Sequence, residues 1–206
     1  AARIMDQPVV IDNFLPEIYQ SSLFFLLTGH EIPWGFFKYS VSDYGLDYYN
    51  TDIGEYKEHI QFRHMFVNTE DVKSDYFKYI VPLLVQFEIE TNLKIRRTVR
   101  IKSNLLMSQK GTKLQYPHYD DLLDAPENAI RKTLLYYVND SDGDTLLYNE
   151  RYTGQYIEQL TVQQNVSPKK GRAVIFDSNQ MHSGCCPEEN DCRIVINCIL
   201  ECVEKE

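Results

Sequence analysis

The sequence predicts a mainly β domain, an antiparallel sandwich or barrel backed by helices. The chain has 206 residues, 43% of them hydrophobic, which is enough for one core that buries roughly 70% of the unfolded surface. Two segments with helical character come first, and from residue 93 onward short alternating runs separated by turn residues continue to the end. Helices followed by a long series of strands are typical of a β structure supported by helices on one side.

The first segment predicts a strand and then a helix. Val9 to Ile11 is a short β-branched run, and the segment Asp12 to Pro16 then supplies a capping residue and a Pro that suits a first helical turn. We expect this helix to run to about Thr28 and to end at Gly29.

A tyrosine-rich segment follows. Residues 34–66 have poor periodicity and many turn formers, which predicts a long ordered loop with two short strands. Its tyrosines are Tyr39, Tyr44, Tyr48, Tyr49 and Tyr56. Two interpretations are open: the loop covers a site, or its rings pack locally on the surface.

Residues 69–90 carry apolar side chains at three- and four-residue intervals, which predicts a second helix that Pro82 should kink. The later alternating runs predict strands. They are Val99 to Lys102, Leu134 to Val138, Asp144 to Tyr148, Gln155 to Leu160, Arg172 to Phe176 and Arg193 to Leu200.

The charge of the chain limits its partners. A formal net charge of -9 disfavours nucleic acid, whose binding depends on clustered Lys and Arg. The two basic concentrations, Lys94 to Lys102 and Lys169 to Arg172, are interpreted as solvated faces of a strand and a turn. No apolar run approaches the roughly 20 residues of a membrane span, and no secretory pattern opens the chain. We therefore expect a cytoplasmic protein without a membrane partner.

Two residue types need a separate interpretation. All five cysteines lie after residue 184, in odd number and without paired CxxC spacing, so we expect reduced structural thiols. The alternative is a Cys185–Cys192 pair across a hairpin. His30, His59 and His64 are expected to be surface or loop residues.

A candidate metal site begins at His118-Tyr119-Asp120. On an extended segment, side chains two residues apart project to the same face, so one strand could supply both His118 and Asp120. His182 follows a predicted strand and turn, where the next strand begins. Two imidazoles and one carboxylate can hold iron(II) on one face and leave positions open for substrate and dioxygen.

Arg193 opens the last predicted strand. Alternation puts Arg193, Val195 and Asn197 on one face of that strand. Burying a guanidinium there is costly unless an anion meets it, and an Arg fork binds a planar carboxylate through two hydrogen bonds. A dicarboxylic cosubstrate is therefore the natural candidate for that anion.

These residues resemble the iron(II)- and 2-oxoglutarate-dependent oxygenases, in particular the prolyl-4-hydroxylase-like branch, over roughly Arg100 to Leu200. The resemblance implies a double-stranded β-helix, a jelly roll of the cupin-like barrel type. It also implies that His118, Asp120 and His182 are the iron ligands and that Arg193 binds the distal carboxylate of 2-oxoglutarate.

Three further segments carry the resemblance. Leu134 to Asn139 looks like the family's strand after the first ligand pair, where Tyr137 either reaches the cosubstrate or packs in the core. Gly143 to Leu147 is similar to the family's Gly-Gly-x-Leu segment, with Asp142 in place of the first Gly. Lys170 to Phe176 matches the turn and strand that lead to the distal ligand.

The resemblance implies a single oxygenase domain over 1–206, with helices and a loop in 1–98 supporting a core in 99–206. It implies a 2-oxoglutarate-dependent dioxygenase that uses iron(II), 2-oxoglutarate and dioxygen, with ascorbate as a supporting reductant. Oxidative decarboxylation then gives succinate and carbon dioxide, and an unactivated C–H is hydroxylated.

The choice of substrate is open at this point. A peptidyl prolyl or other protein side chain comes first, a free amino acid or small metabolite second, and a nucleobase third. The rival classes are a cupin-like metal isomerase or dioxygenase, and a non-catalytic jelly-roll binding module.

Overall fold

The structure is a computed structural model that describes residues 6–39, 50–51, 56–57, 59–109, 114–120, 126 and 129–205. Its N-terminal part combines short strands with two helices. The elements in order are β1 (Val9–Ile11), α1 (Glu17–Thr28), β2 (Gly35–Phe37), β3 (Asn50–Thr51), β4 (Gln61–Asn68), β5 (Asp71–Val72), a 3₁₀ turn (Asp75–Tyr79) and α2 (Val81–Thr91). The predicted first strand and first helix are confirmed, and the N–H of Gly29 closes the helix on the carbonyl of Phe25 at 3.0 Å.

The remainder of the described chain is β structure. Its strands are β6 (Leu93–Met107), β7 (Ile130–Tyr137), β8 (Thr145–Arg151), β9 (Gln159–Leu160), β10 (Val162–Val166), β11 (Ala173–Asp177), β12 (Gln180–Gly184) and β13 (Cys192–Glu204). Five of the six predicted strands are confirmed in place, and several are longer than predicted. The prediction for Gln155 to Leu160 is wrong for all but the last two residues.

Two antiparallel sheets face each other. The larger has the strand order β1-β11-β7-β13-β6-β4-β2, with β5 paired to β4, and the smaller has the order β10-β8-β12. Their facing side chains form one apolar cluster: Leu135, Tyr137, Leu147, Val166, Val174, Phe176 and Val195. The arrangement is a double-stranded β-helix, as expected, and the space between its sheets is where the site lies.

Both helices contribute to the core on the outer face of the larger sheet. Leu27 of α1 and Phe87 of α2 lie in one buried cluster with Ile194, Ile196 and Cys198 of β13. Because side chains alternate along a strand, the residues between these three point into the space between the sheets. The predicted alternation of β13 is therefore confirmed.

The predicted helix over 69–90 is wrong in its first half. Ser74 accepts a hydrogen bond from the N–H of Tyr76 at 3.2 Å and caps the 3₁₀ turn, and α2 begins only at Val81. Pro82 lies in the first turn of α2, where backbone N–H groups have no partner within the helix, so it starts the helix instead of kinking it. Asn92 ends it with a left-handed φ of 54°.

The predicted loop over 34–66 is also corrected. Strand β4 lies inside the larger sheet, and its His64 is buried, with its ring nitrogens 2.8 Å from Pro33 O and from Ser74 Oγ. His59 is buried as well, so neither is a surface histidine. Residues 40–49 and 52–55 of the tyrosine-rich segment lie outside the described residues, and its role stays a prediction.

The expectations for the cysteines and for membrane-spanning segments can be compared with the described residues. All five cysteines are free, and Cys185 and Cys192 are not paired. No helix in the described part of the chain is long and apolar enough to span a bilayer.

Candidate metal centre

His118, Asp120 and His182 converge between the two sheets. One ligand atom from each lies within 4.8 Å of the others. The Nε2 atom of His182 is 3.5 Å from Oδ2 of Asp120, and the two imidazole centroids are 4.3 Å apart. The predicted grouping of these three side chains is thus present in the structure.

The backbone around these three residues differs from the predicted strands. Residues 114–120 do not form a regular strand; they are joined to β12 and its end by two isolated bridges, Leu114 with Cys185 and His118 with His182. In the second bridge each histidine N–H donates to the other's carbonyl at 2.9 Å. His182 lies in the middle of β12 and not at its start, so the two imidazoles stand directly opposite each other.

Both imidazoles are oriented by backbone carbonyls. The Nδ1 atom of His118 is 3.1 Å from Tyr116 O, and Nδ1 of His182 is 3.0 Å from Gln180 O. A proton on Nδ1 satisfies each contact and leaves the Nε2 lone pair for a metal. Burial, and then the charge of His182, lower the pKa of His118 from 6.5 to about 3. His118 is therefore neutral at pH 7, the form that binds metal.

Asp120 is held as a carboxylate by its neighbours. It is 4% exposed, and its Oδ2 accepts hydrogen bonds from Thr133 Oγ1 at 3.1 Å and Asn197 Nδ2 at 3.2 Å. Arg100 approaches Oδ1 at 3.6 Å. Burial acts to raise the pKa of Asp120, but His182, His118 and Arg100 outweigh burial and bring it well below its usual range.

Arg193 is buried on the same inner face. Its Nη2 donates to Thr145 Oγ1 at 2.7 Å, and Thr145 also accepts the hydroxyl of Tyr137 at 2.7 Å. The guanidinium carbon is 5.7 Å from the ring centre of Tyr137. Its Nε atom has no hydrogen-bond partner in the described part of the chain. A buried cation with an unused donor is suited to an anionic ligand.

Of the two roles that the sequence left open for Tyr137, the structure shows the packing role, and contact with the cosubstrate stays a prediction. Its ring packs in the cluster between the sheets, and its hydroxyl lies beside the Arg193 contact. Burial raises the pKa of Tyr137, partly offset by Arg193, so the hydroxyl stays protonated and can donate.

The turn before β8 explains why Asp142 can stand in place of the first glycine of the Gly-Gly-x-Leu segment. The Asp142 carboxylate accepts hydrogen bonds from the N–H groups of Glu188, Glu189 and Asn190, at 3.0, 2.8 and 3.1 Å. Gly143 follows, and a Cβ at this position would come within 2.5 Å of Cys185 O and 3.0 Å of Arg193 Cδ. The retained glycine is therefore needed for the close approach to the Cys185 carbonyl beside Arg193, while the Asp142 carboxylate fixes the turn through its three hydrogen bonds.

These donors fit the implied cofactors. Two imidazoles and one carboxylate match the facial set that iron(II) takes in non-haem oxygenases. The buried guanidinium matches one end of a dicarboxylate. His118, Asp120, His182 and Arg193 could therefore hold iron(II) and 2-oxoglutarate.

Some residues of the site were not found from the sequence. Thr133 and Thr145 give no pattern of their own, whereas Asn197 shares the alternation of Arg193 and could have been found. The solvated interpretation of Lys94 to Lys102 is wrong for Lys102. It lies opposite Asn197 on the inner face, and burial is the largest cause that lowers its pKa well below the usual range.

Comparison with known proteins gives one family match, over the C-terminal part of the chain. Residues 104–201 match the family model described as the 2OG-Fe(II) oxygenase superfamily. No curated protein matches the chain.

Solved structures share the fold at low identity. A 2OG-Fe(II) oxygenase family oxidoreductase from Burkholderia pseudomallei has 10% identity and a TM-score of 0.60, covering 94% of this chain and 84% of that one. The viral collagen prolyl hydroxylase of Paramecium Bursaria Chlorella virus-1 has 16% identity and a TM-score of 0.51, covering 96% of both chains. The 2-oxoglutarate-dependent carbocyclase SnoK from nogalamycin biosynthesis has 12% identity and a TM-score of 0.60, covering 98% and 82%.

The matched segment contains the His-Asp-His group and the inner-face guanidinium, and the surrounding fold is the double-stranded β-helix of the similar structures. The family match over residues 104–201, together with the fold and the His-Asp-His group, supports a dioxygenase that depends on iron(II) and 2-oxoglutarate.

Proposed function

We propose that the protein hydroxylates an unactivated C–H of a peptidyl prolyl or another protein side chain. In this proposal His118, Asp120 and His182 hold iron(II), and Arg193 binds the distal carboxylate of 2-oxoglutarate. The observation that carries it is the closeness of three ligand atoms, within 4.8 Å, on the inner face that also presents a buried guanidinium. The whole chain, 1–206, then acts as one oxygenase domain.

The bound metal supplies the redox chemistry that couples decarboxylation of the keto acid to oxidation of the substrate. The protein residues position the metal ligands and the cosubstrate anchor, and they keep water away from the reacting groups. Thr133 and Asn197 fix the Asp120 carboxylate, while Thr145 accepts hydrogen bonds from both Arg193 and the Tyr137 hydroxyl and so orients the guanidinium. The apolar cluster between the sheets excludes water from the reacting groups.

An exposed sheet edge supports a peptide substrate. Among the described strands, β2 is the last in the larger sheet, and Phe36 and Phe37 on it are 62% and 42% exposed. An extended peptide can pair with such an edge and place side chains against aromatic rings. The guanidinium carbon of Arg63 lies 4.5 Å from the Phe37 ring centre, which links this edge to the inner face.

A free amino acid or small metabolite is the second candidate. It is supported by the inward Lys102, whose charge suits a compact anionic substrate. Gain of one oxygen on peptides or on metabolites distinguishes the two candidates by mass spectrometry.

The ligand assignment is tested by succinate release from 2-oxoglutarate with iron(II) and ascorbate. We expect Asp120→Ala and His182→Ala to abolish release, because each removes one of three ligands. His30→Ala changes an exposed histidine and serves as the matched control. Full turnover in His182→Ala would overturn the assignment.

A further inference from the structure

Beside the metal centre, the inner face of the larger sheet carries basic side chains that the cosubstrate does not use. Residues paired directly across neighbouring strands share a face of the sheet. Lys102 of β6 is paired with Asn197 of β13, whose side chain contacts Asp120. Asn104 is paired with Arg63 of β4, two residues further along the same face.

These side chains form a positive surface inside an acidic protein. The inner face of β4 and β6 carries Arg63, Arg100 and Lys102, and the nearby carboxylate is Asp120. Arg100 is already placed against Asp120 at 3.6 Å. Iron(II) would add further positive charge. With a net charge of -9 on the whole chain, positive charge at the site creates a local field that draws anions inward.

Lys102 has no ion-pair partner in the described part of the chain. Its ammonium is desolvated, and the charges of Arg100 and Arg63 add to the cost, whereas Asp120 offsets part of it. Holding such a charge inside a protein is unfavourable unless an anion compensates it.

Arg63 is oriented toward the same region. Its Nη2 donates to the carbonyl of Tyr39 at 3.3 Å, and its guanidinium packs on the ring of Phe37. It thus lies between the exposed β2 edge and the inward Lys102.

We propose that Lys102, assisted by Arg63, binds a carboxylate of the substrate next to the metal centre. This inference rests on the proposed function and narrows its substrate class to molecules with a carboxylate near the oxidised carbon. An acidic residue beside the target residue of a peptide and the α-carboxylate of a free amino acid present the same chemistry. The experiment distinguishes these two sources.

The test measures binding to the iron(II)–2-oxoglutarate protein by calorimetry under nitrogen. The peptide probes are acetyl-Asp-Pro-Asp-amide and acetyl-Asn-Pro-Asn-amide, and the single-residue probes are L-proline and L-prolinamide. We expect the acid to bind at least about tenfold more tightly than its amide in one pair, because only the acid can form the charge-assisted contact. The pair that shows the preference identifies the source.

Variants of Lys102 and Arg63 test whether these residues cause the preference for the acid over the amide. Lys102→Gln should reduce the acid-to-amide ratio to within about twofold, and Arg63→Gln should reduce it partly. Lys94→Gln removes one charge from an exposed position of the same strand and should keep the ratio. Lys102→Met, which keeps length without charge, replaces Lys102→Gln if the latter does not fold.

The inference would be overturned by no binding of either acid, by equal binding of acid and amide, or by an unchanged ratio in the Lys102 variant. A loss of 2-oxoglutarate affinity above about fivefold in that variant would assign Lys102 to the cosubstrate instead, which also overturns it. Failure of the proposed function gives a different result from failure of this inference. In that case the acidic probes bind, but they gain no oxygen atom when the protein is exposed to air.

Discussion

The strongest prediction concerns the two hydrogen bonds on the Asp120 carboxylate. Thr133→Val and Asn197→Leu each remove one donor to Oδ2, at 3.1 and 3.2 Å, without changing a ligand. Both side chains are buried, so water cannot readily replace the lost donor. We expect iron(II) to bind more weakly in each variant while the fold is kept.

The magnitude follows from the contacts. A hydrogen bond to a charged group contributes about 1.5–3 kcal/mol, and loss of a partner that orients a metal ligand costs about 10- to 100-fold in affinity. We therefore expect iron(II) dissociation constants about 10- to 100-fold higher for each single variant. Because the two donors share one oxygen atom, the effects should not be additive, and the double variant should differ from the product of the single effects.

The assay is competition for iron(II) with a coloured chelator under nitrogen. Thr98→Val changes a partly exposed threonine on β6 and should leave the affinity within about twofold. Affinities within about twofold of the wild type in both Thr133→Val and Asn197→Leu would refute the argument that these contacts position Asp120.

Three further predictions follow from other contacts. Arg193→Gln should raise the KM for 2-oxoglutarate at least about tenfold, since a charge-assisted contact is lost; an unchanged KM contradicts the cosubstrate role. The pKa of His118 is about 3 in the fold and 6.5 as a free group, so the unfolded chain binds more protons between these values. The stability of the metal-free protein should then fall as pH is lowered through this window, by up to ~1.4 kcal/mol per pH unit. His118→Gln should reduce that slope in urea unfolding, and equal slopes would contradict this prediction. Glu201→Gln removes the carboxylate that Arg131 contacts at 3.1 Å and should destabilise the protein by about 3 kcal/mol. The exposed Glu204→Gln is its control in thermal unfolding, and equal stability of both variants would contradict the role of the buried pair.

The strands that carry the site could be predicted because their two faces differ. In β13, the apolar Ile194 and Ile196 face the helices while Arg193 and Asn197 face the site, so the period of two is visible in the sequence. Strand β4 was missed because its site face is polar and its neighbours resemble a loop. A strand could therefore be predicted where its two faces differ in polarity, whereas the β propensity of single residues was not sufficient.

Other features depend on contacts that no local pattern encodes. The segment 114–120 is held by single bridges to a distant strand, which leaves no periodic signal. Thr133 acts through one hydroxyl, and threonine is common in strands of every kind. Lys102 is charged, and charge normally predicts solvent exposure. Its inward position follows from the register of three strands, which becomes visible only in the fold.

The reciprocal backbone bridge between His118 and His182 has a consequence for how metal and protein assemble. About sixty residues separate the two imidazoles, and closing such a loop costs several kcal/mol of chain entropy. Here the β-helix itself holds the two histidines together. Binding of the metal therefore does not have to bring the ligands together first. Loading then adds stability only by mass action, in proportion to the logarithm of free iron over its dissociation constant. The metal-free protein should remain folded and reloadable, so that iron supply regulates the fraction of active molecules without regulating their survival.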